Sequence, residues 1–284
     1  MGFKILKVDF LSENAPKDFV RSLRDTGFAI IDNHPLDQNL IKEVYSDWEI
    51  FFNSEKKHDY LFHKEKQDGY FPFESENAKG YNNKDLKEFY HIYPWGRYPQ
   101  DISDKTEIFY EYILDLGREF LDWIDRYSPP HVIKKFSIPT SEMVEDSEKN
   151  LLRMINYPAI KDLNTHGSIR AQEHADINLI TLLLAATQPG LQVKNMKGKW
   201  IDVKCEPGQL VINIGDMLNE CSGGYFPSTI HRVINPTKDN KHEARMSMPL
   251  FIHPSDEVSL SENYTAKSYL EERLREIGLK NEDH

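Results

Sequence analysis

The 284-residue chain has only two cysteines, Cys205 and Cys221. That is too few for a disulfide scaffold, and the start, MGFKILKVDFL, lacks the apolar length of a secretory leader, so a reducing, cytoplasmic setting is expected. Leu6 stands where a myristoylation signal needs Ser or Thr. The longest apolar stretch, Ile177 to Ala186, is broken by Asn178 and Thr181 and is much shorter than a bilayer span. A soluble protein follows. Basic runs are also missing: no more than two Lys or Arg adjoin, and 35 basic against 46 acidic residues leave a formal net charge of -11. Such a surface repels nucleic-acid backbones and anionic membranes, so neither is expected as a partner. Repeats, low-complexity tracts and pooled Pro/Gly linkers are absent too, and one domain spanning 1–284 is expected.

What is present suffices for a core, with 39% hydrophobic residues against 29% charged. Through residues 1–150 the apolar positions recur at three and four, as in Phe19 and Leu23, then Leu40, Val44, Trp48 and Phe51, then Phe109, Ile113, Leu116, Phe120 and Ile124. This half is expected to be mainly helical, with a short strand at Ala29 to Ile31 and a polar loop from Ser75 to Lys87. From Leu151 the pattern changes to short apolar runs: Leu151 to Tyr157, Ile177 to Ala186, Leu191 to Val203, Gln209 to Ile214 and Ser247 to Ile252. These are strands. The third reads as a hairpin turning at Asn195 to Gly198. Residues 151–255 therefore form a β half, and residues 256–284 close in a helix, with Thr265 as N-cap, a stripe of Tyr269, Leu270, Leu274 and Ile277, and Gly278 as stop. The fold class expected is mainly β with a helical layer (α+β), a sandwich or jelly roll flanked by helices.

The chemistry starts from one His-x-Asp, His174 and Asp176, a pair that composition alone supplies about once in such a chain. Residues two apart on a strand share a face, so the pair is expected to present an imidazole and a carboxylate together. His231, in STIHRVINP, is the best third donor. Two imidazoles and one carboxylate make the facial set that suits non-heme Fe(II), although zinc accepts the same donors. Arg245, with Ser247 two residues on, sits among Met246, Met248, Leu250 and Phe251. A guanidinium buried there needs an anion, and a planar fork beside a hydroxyl suits a carboxylate. Each residue alone also has an ordinary structural use; order and spacing together favour a site.

Segments from end to end carry a resemblance: GFAIIDNHPLD, GYFPFESENAKGYNNKDLKEFYHIY, LRMINYP, EHADINLITLLLAATQPGLQV, GKWIDVKCEPGQLVINIGDML, PSTIHRVINP and RMSMPLFIHP. The sequence resembles the isopenicillin N synthase-like family of Fe(II)- and 2-oxoglutarate-dependent oxygenases, closer to its bacterial members. The resemblance implies a double-stranded β-helix, iron held by His174, Asp176 and His231, and the far carboxylate of 2-oxoglutarate at Arg245 and Ser247, with Tyr157 near that co-substrate. It also implies O2 as oxidant, a small-molecule substrate and a monomer or small homo-oligomer. Many plant-type relatives place Asn two residues before that tyrosine, where this chain has Ile155, with Asn156 adjacent.

Two other readings of the same residues stay open. In one, an iron oxidase without 2-oxoglutarate uses Arg245 and Ser247 to hold a substrate carboxylate; in the other, a jelly roll binds a metal or anion without turnover. Lys79, Lys87, Tyr90 and Arg97 are candidates for substrate contact, Gly215-Asp216 reads as a turn with no chemical duty, and both cysteines as reduced and structural.

Overall fold

Helices form where apolar residues recur at three and four, and each has identifiable stops. The computed structural model describes residues 3–76, 83–160, 165 and 167–276. In chain order β1 (Lys7–Asp9), α1 (Ala15–Thr26), β2 (Phe28–Asp32) and α2 (Gln38–Asn53) come first. They are followed by β3 (Gly69–Phe71), β4 (Glu88–Ile92), the long α3 (Lys105–Tyr127) and the short α4 (Pro130–Ile133). Asp37 caps α2, its carboxylate accepting from Asn39 N at 2.8 Å. The second half contains β5 (Leu151–Tyr157), β6 (Ala171–His174), β7 (Ile180–Leu184), β8 (Leu191–Lys194), β9 (Trp200–Asp202), β10 (Leu210–Ile214), α5 (Asp216–Cys221), β11 (His231–Val233), β12 (Arg245–Ser247), β13 (Pro249–Ile252) and α6 (Ala266–Glu276).

The strands form two sheets. Nine strands make the larger, ordered β1-β2-β10-β7-β13-β5-β4-β3 with β12 also on β5; the smaller is β6-β11-β8-β9. Side-chain alternation divides the larger sheet between two cores. Its outer set, including Ile31, Leu152, Met154, Leu182 and Ile212, packs on Phe19, Trp48, Phe109 and Phe120 of the helices. The inner set faces the smaller sheet: Phe28, Ile30 and Val211 meet Val193, while Phe89, Ile155 and Tyr157 meet Ala171 and Val233. That is the jelly-roll sandwich with a helical layer. The α3 helix approaches the sheet closely because Gly117 lacks a side chain; a Cβ there would sit 2.1 Å from Ile252 Cδ1.

Residues 1–150 are less purely helical than periodicity suggests. Beyond the expected strand, now β2, they supply β1, β3 and β4 to the larger sheet. All five residues of β4 are buried, including Glu88 and His91. Burial on both faces removes the period of two that would have marked a strand. The hairpin forms at the expected place, Asn195 N donating to Lys199 O at 2.9 Å. The last helix begins with a reciprocal cap, Thr265 Oγ1 accepting from Ser268 N and Ser268 Oγ from Thr265 N. Ile277, Gly278, Lys79 and part of the Ser75 to Lys87 loop lie outside the described residues.

Candidate functional site

His174 ends β6 and His231 begins β11, and the two are direct partners across that antiparallel pair. Asp176 does not share their strand. It lies past the end of β6, where the chain crosses from the smaller sheet to the larger, so strand parity is not what joins the residues. Its backbone is pinned instead by the start of α5: Asp216 N donates to Asp176 O at 2.7 Å, and Met217 N to Ile177 O at 3.0 Å. Gly215 makes this contact possible, since a Cβ there would fall 2.1 Å from Asn178 O. Gly215-Asp216, expected to be an idle turn, positions the carboxylate. Gly215→Ala is expected to lower stability by about 1–3 kcal/mol through overpacking against backbone, read as a lower Tm with weaker metal binding.

One donor atom each from His174, Asp176 and His231 lies within 4.8 Å of the others. Both imidazole Nε2 atoms are 3.7 Å from Asp176 Oδ1. Every atom pointing away from this centre is engaged. His174 Nδ1 is 2.7 Å from Gln172 O and His231 Nδ1 is 3.2 Å from Thr229 O, so each Nδ1–H donates to a carbonyl and each Nε2 lone pair faces its neighbours. Asp176 Oδ2 accepts from Thr181 Oγ1 at 2.6 Å and Asn213 Nδ2 at 2.8 Å, which leaves Oδ1 for the centre. Burial, then the neighbouring His231, brings His174 down to about 4, so its ring is neutral at physiological pH. Burial pushes Asp176 up, but the two imidazoles and the Asn213 and Thr181 donors outweigh it and hold the carboxyl below its ordinary value. Two imidazoles and one carboxylate on one side of a point are a donor set for a divalent transition metal that leaves positions open.

Thr181 and Asn213 were not singled out from the sequence. They are cross-strand partners on β7 and β10, and each interrupts an apolar run, ITLLL and LVINI. A lone polar residue inside a buried strand was the available signal. Asn213→Ala is expected to weaken metal affinity about 10- to 100-fold while the fold persists, measured by titrating the apoprotein with Fe(II) or Mn(II).

Arg245, Ser247 and Tyr157 form a second group on the inner face. Arg245 is 2% exposed; its Nε donates to Gln188 O at 3.0 Å and its Nη1 to Ser247 Oγ at 3.3 Å. Tyr157 is the register partner of Arg245, whose Cζ lies 4.9 Å from the ring centroid. Beside the guanidinium is a cavity of about 170 Å³ lined by Leu183, Thr187, Gln188, Val211 and Arg245 among others. No carboxylate pairs with Arg245 among the described residues. A further buried guanidinium, Arg170, lies 6.0 Å from the same Tyr157 ring, and sequence reasoning passed it over. Ile155 faces the interior, whereas Asn156 points outward and donates to Glu88 Oε1 at 2.8 Å.

Of the weaker candidates, Tyr90 is buried in the helical core and donates to Arg97 O, and Arg97 pairs with Asp68 at 2.9 Å. Lys87 is buried between Glu76 at 2.7 Å and Asp85 at 2.9 Å. Both cysteines are free; Cys221 is buried.

Family models match in two places. The 2OG-Fe(II) oxygenase superfamily covers residues 149–254, and the N-terminal module described as non-haem dioxygenase in morphine synthesis covers 11–110. A Caulobacter crescentus protein described as a 2OG-Fe(II) oxygenase family member is 31% identical with a TM-score of 0.81, covering 96% of this chain and 99% of that one. The chain belongs to the 2OG-Fe(II) oxygenase superfamily. A Shewanella oneidensis protein described as an oxygenase is 49% identical with a TM-score of 0.88, covering 98% of this chain and 100% of that one. Flavonol synthase 1 of Crocosmia x crocosmiiflora is 27% identical over 246 residues, 82% of this chain and 70% of its own. As a member of this superfamily the protein is an oxidoreductase that uses Fe(II), 2-oxoglutarate and O2, and the double-stranded β-helix is the shared fold.

Proposed function

We propose that His174, Asp176 and His231 hold the ferrous iron, that Arg245, Ser247 and Tyr157 seat the far end of 2-oxoglutarate, and that the chain acts as one unit oxidising a small organic molecule by hydroxylation, desaturation or ring closure. The observation that carries this reading is the orientation of the donors: both Nε2 atoms and Asp176 Oδ1 face one another, while the opposite atom of each group is tied to the fold.

O2 is the oxidant: bound iron would activate it, 2-oxoglutarate would supply two of its four electrons on decarboxylation to succinate and CO2, and the substrate would supply the other two. The chain's own residues do the rest. His174 enters the site already neutral, so near neutral pH a cation displaces no proton from it. Thr181 and Asn213 fix which carboxylate oxygen of Asp176 turns inward. Arg245 offers a charge that meets no carboxylate among the described residues, and Ser247 steadies its fork. Leu183 and Val211, on the inner face, exclude water near the cleft.

The test is an anaerobic titration with Fe(II) and 2-oxoglutarate, followed by the visible absorption band of the chelate. A band that needs all three donors and Arg245 supports the reading. Iron binding without 2-oxoglutarate affinity would overturn it and select an oxidase whose arginine grips the substrate itself.

A further inference from the structure

Arg170 is 1% exposed, yet among the described residues no carboxylate meets it. Its Nη2 donates to Glu243 O at 3.0 Å, and its Nε is buried with no partner. It precedes β6, four residues before His174, and neighbours Ala171, which packs with Phe71, Phe89, Ile155, Tyr157 and Val233 in the interior of the sandwich. Its Cζ lies 6.0 Å from the Tyr157 ring that Arg245 approaches at 4.9 Å. Two guanidiniums thus share one aromatic ring in a buried region. Burial and then Arg245 pull Arg170 down to about 10, as befits a cation lacking compensation.

Charge balance gives the uncompensated cation a meaning, on the assignment of iron and 2-oxoglutarate proposed above. Divalent iron and Arg245 together neutralise Asp176 and the two carboxylates of 2-oxoglutarate. The neighbouring network is also neutral, with Lys87 and Arg153 set against Glu76 and Asp85. Arg170 remains. A buried charge without a partner is strongly unfavourable, and a guanidinium with a free donor suits a planar anion.

We infer that Arg170 anchors a single negative charge on the substrate, so that the enzyme oxidises a small organic monocarboxylate. The carboxylate lies against Arg170, on the Tyr157 side of the sandwich, and the rest of the molecule extends toward His174 along β6.

The experiment uses full-length protein loaded anaerobically with Fe(II) and 2-oxoglutarate. Benzoate, phenylacetate, cinnamate and hexanoate are titrated against their primary amides, and binding is read as a perturbation of the chelate band. The expected result is that at least one acid binds at millimolar concentration or below and its amide binds far more weakly. Arg170→Gln then loses acid binding by about tenfold or more, with 2-oxoglutarate affinity unchanged and Tm the same or higher, since an uncompensated buried charge is removed. Arg170→Met, which keeps the volume, behaves alike. Three outcomes overturn the inference while leaving the oxygenase assignment intact: acid and amide bind equally, none of the acids binds, or Arg170→Gln weakens 2-oxoglutarate as Arg245→Gln does. Absence of the chelate band in the unaltered protein removes both.

Discussion

His231→Ala is expected to reduce iron affinity by two to three orders of magnitude and to abolish 2-oxoglutarate turnover. The magnitude follows from dividing the roughly 10–16 kcal/mol of a four-ligand metal site among its donors, about 2.5–4 kcal/mol each. His231 is 8% exposed and stands edge-on to Phe28 at 5.7 Å between centroids, and without it only His174 and Asp176 remain of the donor group found among the described residues. Removing it also leaves Asp176 Oδ1 with one facing imidazole instead of two. The apoprotein should nevertheless fold, because the ring contributes no side-chain hydrogen bond beyond Thr229 O. Calorimetric titration of the apoprotein with Fe(II) or Mn(II) checks this, with circular dichroism as the fold control. Wild-type affinity in the variant would remove His231 from the metal site.

Arg245→Ala is expected to separate the two halves of the site. Metal binding should stay within a few-fold, because among the described residues the guanidinium bonds to Gln188 O and Ser247 Oγ and to none of the three donors. Affinity for 2-oxoglutarate should fall by on the order of 2–5 kcal/mol, roughly thirtyfold to several thousandfold, since a buried ion pair loses one member. Lysine should rescue poorly, because a point charge replaces a flat fork already oriented by Ser247 and the Tyr157 ring. The measurement is the dissociation constant for 2-oxoglutarate with Mn(II) in place of iron. Equal constants for Arg245→Ala and the unaltered protein would move the co-substrate elsewhere.

The broad fold was legible because each helix buries one face, leaving a period of three and four in the letters, and because most strands of the second half are short apolar runs between turn residues. Phe109 to Ile124 spaced at three and four is α3, and the runs after Leu151 are the strands of the sandwich. Burial on both faces also removes the period of two from β4, and its buried Glu88 and His91 break the apolar run that marked β2 and β10, which is why it escaped notice. The residues of the candidate centre were readable as types and spacings, but the reason they meet was not. Parity on one strand predicted a shared face; the structure instead turns the chain after His174 and fastens Asp176 to α5. Thr181 and Asn213 could not be read from the sequence as braces for Asp176, because nothing local distinguishes a polar group bonded to a carboxylate from one that merely interrupts a strand. Only the cross-strand register of Thr181 with Asn213 identifies their common target.

The two imidazoles belong to the four-stranded sheet, while the side chains bracing Asp176 belong to the nine-stranded one. A cation seated among them therefore rivets the sandwich shut. By mass action, saturation at a hundred times the dissociation constant adds about 2.7 kcal/mol to folding. Chelators should thus soften both layers at once, and slower amide exchange on loading should appear in β6 and β11 together with β7 and β10.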